Sequence, residues 1–181
     1  MKYLFDTNVI SEIRKGARCD ENVRSWFSAI PDEDIFLSVL TVGEILRGIE
    51  RIRRRDLRAA AALERWLEGR VRFQQERILP VDREVAERWG RFGVPDPVPV
   101  LDGLIAATAS VHGLTVATRN VADIARTGVP CVNPFTGSDS IREKASESGR
   151  KPAKSSRRLP GKPSQEHRER AGRRPLKNRV L

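Results

Sequence analysis

The chain has 181 residues, and 34 Lys/Arg against 24 Asp/Glu give it a formal net charge of +10. That charge is uneven: residues 1–136 hold 20 Lys/Arg and 19 Asp/Glu, a net +1, whereas residues 137–181 hold 14 and 5, a net +9, so the high isoelectric point describes a tail and not a basic nucleic-acid-binding core. No apolar run nears the ~20 residues that span a bilayer, the apolar stretch after Met1 is too short for a secretory signal, and two distant thiols, Cys19 and Cys131, fit a reduced, cytoplasmic chain better than a disulfide scaffold.

In chain order, residues 2–5 predict a short strand with Asp6 at its carboxyl end, and residues 8–15 predict a helix closed by Gly16. Residues 21–30 place Val23, Trp26, Phe27 and Ile30 on one helical face, and Pro31 ends that helix. Residues 35–38 predict a second strand. Val42, Ile45, Leu46, Ile49 and Ile52 then follow the 3.6 period over residues 41–53. A helix rich in Ala, Leu and Arg follows over residues 57–73, and a short third strand over residues 77–80. Asp82 is placed to cap a helix to Phe92 that buries Val85, Trp89 and Phe92. Pro95, Pro97 and Pro99 force residues 93–100 to run extended, either as a wall of a site or as a stiff linker. Residues 102–112 are apolar nearly all round, which predicts a buried helix ended by Gly113. A fourth strand is expected at 114–118, a short helix at 121–126 and a fifth strand at 131–133.

Short apolar strands alternating with helices predict an α/β domain over residues 1–136, with a parallel sheet of four to five strands covered by helices on both faces. From Gly137 onward Ser, Lys, Arg, Pro and Gly dominate. Such a segment buries too little apolar surface to offset its ordering entropy, so residues 137–181 are expected to be a disordered basic tail. The tail either adds nonspecific RNA affinity through phosphate contacts or is a solvated extension without a role.

In an open α/β sheet, ligands bind beyond the carboxyl ends of the strands. Asp6 follows the first strand, Glu44 and Asp102 fall in first helical turns, and Asp123 lies just past the fourth strand. Each acid alone has a plain structural reading. Thr41-x-x-Glu44 fits a capping box, Asp102 an N-cap, Asp123 an N-cap or Asx-turn, and Asp6 the start of the next helix. Gathered in one small domain they repel, and they need protons or a cation to coexist. The simplest tenant is Mg²⁺ or Mn²⁺, and the simplest chemistry is phosphodiester hydrolysis. There is no Gly-rich phosphate loop, no Cys/His ligand set and no Ser–His–Asp triad; His112 reads as a helix-end residue before Gly113. A haloacid-dehalogenase-type phosphatase would need Asp two residues after its nucleophile, where this chain has Asn8.

Four segments carry these acids in order: Leu4-Phe5-Asp6-Thr7-Asn8-Val9-Ile10-Ser11-Glu12, Ser38-Val39-Leu40-Thr41-Val42-Gly43-Glu44-Ile45, Leu101-Asp102-Gly103-Leu104-Ile105-Ala106-Ala107-Thr108-Ala109 and Leu114-Thr115-Val116-Ala117-Thr118-Arg119-Asn120-Val121-Ala122-Asp123. Together they resemble the PIN-domain nucleases, and within them the VapC-type toxins of toxin–antitoxin pairs. The resemblance covers residues 1–136 and implies a PIN-like fold. It carries the family's acidic quartet onto Asp6, Glu44, Asp102 and Asp123, with supporting polar roles for Thr7 or Asn8 and for Thr118 and Asn120. It also implies a homodimer and a cognate antitoxin that occludes the pocket.

The mechanism expected is Mg²⁺-dependent hydrolysis of RNA, with Mn²⁺ able to substitute, giving 5′-phosphate and 3′-hydroxyl ends. Asp6 and Asp102 are the expected principal metal ligands, with Glu44 beside them. Asp123 would hold a second metal or orient the attacking water, and Thr118 or Asn120 would hydrogen-bond that water or a phosphate oxygen. Asn8, Arg14, Arg47, Arg51 and Arg119 are the candidate substrate-binding residues. The arginines beyond Glu44 read equally well as a solvated helix face paired with Glu50 and Asp56. Single-stranded or loop RNA is the favoured substrate, since its bases can be splayed and read. Two other classes compete: a catalytically silent nucleic-acid-binding module and a metal-dependent phosphatase acting on small substrates.

Overall fold

The computed structural model describes residues 1–73, 75–94 and 96–137; the expected tail therefore lies, from residue 138 onward, outside the described residues. Five short runs pair in parallel: β1 (Tyr3–Phe5), β2 (Ile35–Ser38), β3 (Ile78–Leu79), β4 (Thr115–Ala117) and β5 (Cys131–Val132), in the spatial order β3-β2-β1-β4-β5. The parallel α/β sheet expected from the strand–helix alternation is thus present with all five strands. Successive residues of a strand face opposite sides of the sheet. Leu4 and Phe5, both fully buried, accordingly enter two different cores. Leu4 packs with Ile105, Ala106, Ala109, Val116 and Ile124. Phe5 packs with Val9, Ile35, Leu37 and Ala117, and Trp26 lies over Tyr3 and Phe5 with ring centroids 5.1 and 5.4 Å away.

Helices α1 (Thr7–Ile13) and α2 (Glu21–Ser28) supply the second of these cores, and α6 (Val100–Val111) and α7 (Val121–Ala125) the first. Between them, α3 (Val39–Arg53) and α4 (Leu57–Phe73) pack on each other through Ile49, Ala60 and Leu67. The remaining helix, α5 (Arg83–Trp89), is capped by Asp82, whose carboxylate accepts from Val85 N–H at 2.9 Å. It ends at Trp89, short of the expected Phe92. Val85 is fully buried as expected, but Trp89 keeps 37% of its surface exposed. It lies across the first turn of α6, where a Cβ on Gly103 would stand 2.9 Å from the indole. The missing Cβ lets α5 close on α6 at the domain edge, so Trp89 covers a helix start and does not enter the central core.

Strand order reverses about β1: the chain moves outward to β2 and β3, then returns to β4 and β5 on the other side. The crevice at the carboxyl ends of β1 and β4 is the position where open α/β sheets bind ligands.

Candidate active site

Asp6 leaves the end of β1 with its N–H still bound to Ala117 O at 3.0 Å, which continues the ladder to β4. Its side chain is buried and caps α1: Oδ1 accepts from Thr7 N–H at 2.6 Å. Oδ2 accepts from the Thr118 hydroxyl at 2.6 Å and from the Asn8 amide. Asn8 Nδ2 also donates to Thr118 Oγ1 at 3.1 Å, and Asn120 N–H donates to the same oxygen at 3.0 Å. Thr118, just past β4, is fully buried, so this network is fixed from beneath.

Glu44 departs from its capping-box reading. Ser38 caps α3, its Oγ accepting from Leu40 N–H at 3.2 Å, so the helix begins at Val39. Thr41 then sits inside the helix, buried, with its hydroxyl donating to Phe5 O at 3.3 Å. Glu44 is left to accept from the Thr7 hydroxyl at 2.6 Å, which draws it to the start of α1 beside Asp6. Asp102 is likewise no N-cap; Pro99 precedes α6 and Asp102 stands in its first turn. Asn120 Nδ2 bridges it, at 3.4 Å, to Asp123, at 2.8 Å. Asp123 lies 3.7 Å from the Arg126 guanidinium.

Asp6, Thr7, Asn8, Glu44, Asp102 and Asn120 line one open cleft of about 550 Å³, and Pro99, Val100, Leu101 and Ile105 also line it. The end of the proline-rich passage therefore is a wall of the cleft. Burial pushes Asp6 above the ordinary carboxylate range; the Thr118 and Thr7 hydrogen bonds pull it down, and the Glu44 charge pushes it up again. Asp102 is also raised, first by burial and then by the charges of Asp6 and Asp123. The carboxylates thus feel one another across the cleft.

The donor set is all oxygen, which suits a hard cation. Among the described residues no three of His, Cys, Asp or Glu form a ready metal cage. Mg²⁺ does not need one: it keeps several waters and takes one or two carboxylates plus substrate phosphate oxygens. Asp102 Oδ2 and Glu44 Oε1 accept no hydrogen bond among the described residues, so acceptor capacity remains for such an ion. The residues fit a water-rich Mg²⁺ or Mn²⁺ site.

The candidate cationic residues lie elsewhere. Among the described residues no Arg or Lys lines the acidic cleft. Arg14 borders an apolar groove with Ile10, Ile13, Phe27, Trp66 and Arg70, and it also lines a second pocket that reaches Thr7 and Glu44. Arg47 and Arg51 are exposed on α3, and the neighbouring Arg53 is held by Glu50 at 3.0 Å and Glu64 at 2.9 Å. Arg119 has its guanidinium on Phe135 and Glu12, outside the cleft. Glu12, to which the sequence reading gave no role, is a buried carboxylate on α1. It accepts from Lys15 Nζ at 2.7 Å and from Asp20 N–H at 3.0 Å, and the Lys15 bond holds it below its usual range. Its signal was present as the acidic end of the first motif segment, six residues after the strand-end Asp6 and on the following helix.

The family model described as PIN domain matches residues 3–129. Toxin FitB of Neisseria gonorrhoeae is 33% identical over 137 residues, spanning 73% of this chain and 97% of its own length. VapC ribonuclease Y4jK of Sinorhizobium fredii is 33% identical over 141 residues, spanning 73% and 96%. Among solved structures, FitAcB from Neisseria gonorrhoeae superposes with a TM-score of 0.68 at 33% identity, covering 74% of this chain and 98% of that one.

Proposed function

The chain belongs to the PIN-domain family, and from that premise we propose that it is a metal-dependent endoribonuclease acting as the toxin of a toxin–antitoxin pair. The observation that carries the proposal is the convergence of Asp6, Glu44 and Asp102 on one cleft at the carboxyl ends of β1 and β4. The names of the relatives, a toxin and a VapC ribonuclease, support the same reading. Asp6 and Asp102, with Glu44 beside them, would hold Mg²⁺ or Mn²⁺. Bound there, the cation supplies polarisation of a water nucleophile and relief of the charge that develops on the phosphate.

The chain's own part is preorganisation. Thr118, Asn8 and Thr7 N–H fix both oxygens of Asp6, so its carboxylate cannot rotate to follow the substrate. The Thr7 hydroxyl orients Glu44. Asn120 spans Asp102 and Asp123 with one amide, and Asp123 would hold a second metal or orient the attacking water. The open mouth suits a polymer, and single-stranded or loop RNA is the proposed substrate. A cognate antitoxin, a homodimer and a cytoplasmic setting belong to the same proposal.

The test uses purified protein, structured RNA and end mapping. EDTA should stop cleavage and Mg²⁺ or Mn²⁺ restore it, leaving 5′-phosphate and 3′-hydroxyl ends. A substrate with a single deoxynucleotide 5′ to the scissile phosphate should still be cut, because water and not a 2′-hydroxyl is the nucleophile. Cleavage that persists in EDTA with cyclic-phosphate ends would end the metal-hydrolase reading. Hydrolysis of nitrophenyl phosphate with intact RNA would move the protein to the small-substrate phosphatases.

A further inference from the structure

Arg119 belongs to a three-residue loop that touches three of the four acids of the candidate site, Asp6, Asp102 and Asp123, while Glu44 is held by Thr7. Thr118 donates to Asp6, Arg119 N–H donates to Asn8 Oδ1 at 3.1 Å, and Asn120 donates to Asp102 and Asp123. The Arg119–Asn8 bond settles an otherwise ambiguous amide. With Oδ1 engaged by the backbone, only Nδ2 of Asn8 can face Asp6, where a donor is needed. The side chain of Arg119 works on the other side. Its guanidinium carbon lies 3.8 Å from the centroid of the Phe135 ring, and Nη2 lies 3.8 Å from Glu12 Oε2.

Both anchors are themselves fixed. Glu12 is buried and held by Lys15 and by Asp20 N–H. Phe135 packs against the core of α1 and α2, its N–H bound to Asn133 Oδ1 at 3.0 Å and its carbonyl accepting from Asn22 Nδ2 at 3.1 Å. Phe135 also lies beyond residue 129, where the matched family segment ends. The guanidinium stacks on a ring and faces a carboxylate, with 59% of the Arg119 side chain still exposed.

We propose that Arg119 is a positioning residue: clamped between Phe135 and Glu12, it holds the Thr118-Arg119-Asn120 loop so that Asp6, Asp102 and Asp123 keep the arrangement that receives the divalent cation. This rests on the nuclease reading above and reassigns Arg119 from phosphate binding to support of the metal ligands. Groups that orient metal ligands lose about 10–100-fold in metal affinity or activity when removed. A phosphate-binding arginine behaves differently: its loss raises KM and lowers the salt slope of RNA affinity by about one unit.

The test compares wild type with R119A, R119K and F135L, each as the full chain. Mn²⁺ dissociation constants are measured by electron paramagnetic resonance without RNA, and kcat, KM and the salt dependence of KM are measured with RNA. R119A and F135L should both weaken Mn²⁺ binding and lower kcat, about 10–100-fold, with KM and its salt slope unmoved. R119K keeps the charge toward Glu12 but loses the planar stack, so it should fall between them and wild type. F135L changes no charge, and its agreement with R119A separates support of the site from charge removal. A raised KM and a shallower salt slope in R119A, with Mn²⁺ affinity unchanged, would overturn the proposal in favour of a phosphate contact. Wild-type behaviour from folded R119A and F135L would overturn it alone. Wild type that neither bound Mn²⁺ nor cut RNA would instead bring down the nuclease reading and this proposal with it.

Discussion

Replacing Thr118 by Val removes a single hydroxyl from a fully buried side chain of nearly the same shape. In the native domain that hydroxyl donates to the Asp6 carboxylate at 2.6 Å and accepts from Asn120 N–H and Asn8 Nδ2 at 3.0 and 3.1 Å. A hydrogen bond to a charged group is worth about 1.5–3 kcal/mol, and a partly buried donor that loses its acceptor costs about 1 kcal/mol more. The expected loss is therefore ~3 kcal/mol, or roughly 10 °C in Tm for a domain of this size. The charged part of that loss has a pH signature. Thr118 stabilises ionised Asp6, whose buried carboxyl already sits above its ordinary range. The Val penalty should be complete at pH values above that raised range, and should shrink to ~1 kcal/mol in acid, where Asp6 is protonated in both states. Urea unfolding in EDTA across this pH series measures it, with Thr118→Ser as the control that retains the hydroxyl and shows a pH-independent loss. A Val penalty below about 0.5 kcal/mol at neutral pH, or one equal at every pH, would refute the account of how Asp6 is held.

Asp6→Asn and Asp102→Asn should each abolish cleavage while the fold survives, because both serve the cation and not the core; a folded Asp6→Asn protein with wild-type activity would remove Asp6 from the site. Without metal, Asp102→Asn should hold or gain stability at neutral pH, whereas in Asp6→Asn the relief of repulsion is offset by turning an acceptor oxygen toward Thr7, Thr118 or Asn8 into a donor. Burial and neighbouring charge raise both wild-type pKa values, so the folded state binds those protons more tightly than the unfolded. Apo wild-type stability therefore falls as pH rises from the ordinary carboxylate range through the raised one, and each Asn variant should show a shallower fall in the same thermal melts. Truncation after Gly137 should leave a folded, metal-dependent nuclease that retains Phe135, with RNA binding less sensitive to salt as phosphate contacts from the basic tail are lost; an insoluble or inactive product would show that the tail belongs to the fold.

The sheet was legible because each strand is a short apolar run, and helices such as residues 21–30 and 41–53 carry a 3.6 period, signals that local sequence contains. The acids were legible for the same reason: Asp6 follows the run Tyr3–Phe5, and Asp102 opens the apolar stretch that becomes α6. Errors came where a tertiary contact overrode a local pattern. Thr41-x-x-Glu44 has capping-box spacing, but Ser38 captures the cap from the end of β2 and moves the helix start to Val39. Glu44 is thereby released to Thr7, a residue no local window connects to it. Trp89 has the period of a core residue, yet Gly103, distant in sequence, offers it a seat at the edge.

The same distinction explains the arginines. Their sequence clustering fitted a phosphate track and a solvated face paired with Glu50 and Asp56 equally well, because charge density is visible in sequence and charge commitment is not. In three dimensions Arg53 is taken by Glu50 and Glu64, and Arg119 by Phe135 and Glu12. What hydrogen-bonds Asp6, Glu44 and Asp102 is instead neutral and short, namely Thr7, Asn8, Thr118 and Asn120, while Asp123 at the edge faces the Arg126 guanidinium at 3.7 Å. That choice has a physical reason. An arginine paired with Asp6, Glu44 or Asp102 would satisfy it permanently, lower its pKa and compete with a cation for the same oxygens. Hydroxyl and amide donors orient a carboxylate without neutralising it, leaving its charge available to a hard ion. The motifs Asp6-Thr7-Asn8 and Thr118-Arg119-Asn120 therefore carry the site's chemistry in the small polar residues as much as in the acids, and the guanidinium between Thr118 and Asn120 serves by being turned to other partners.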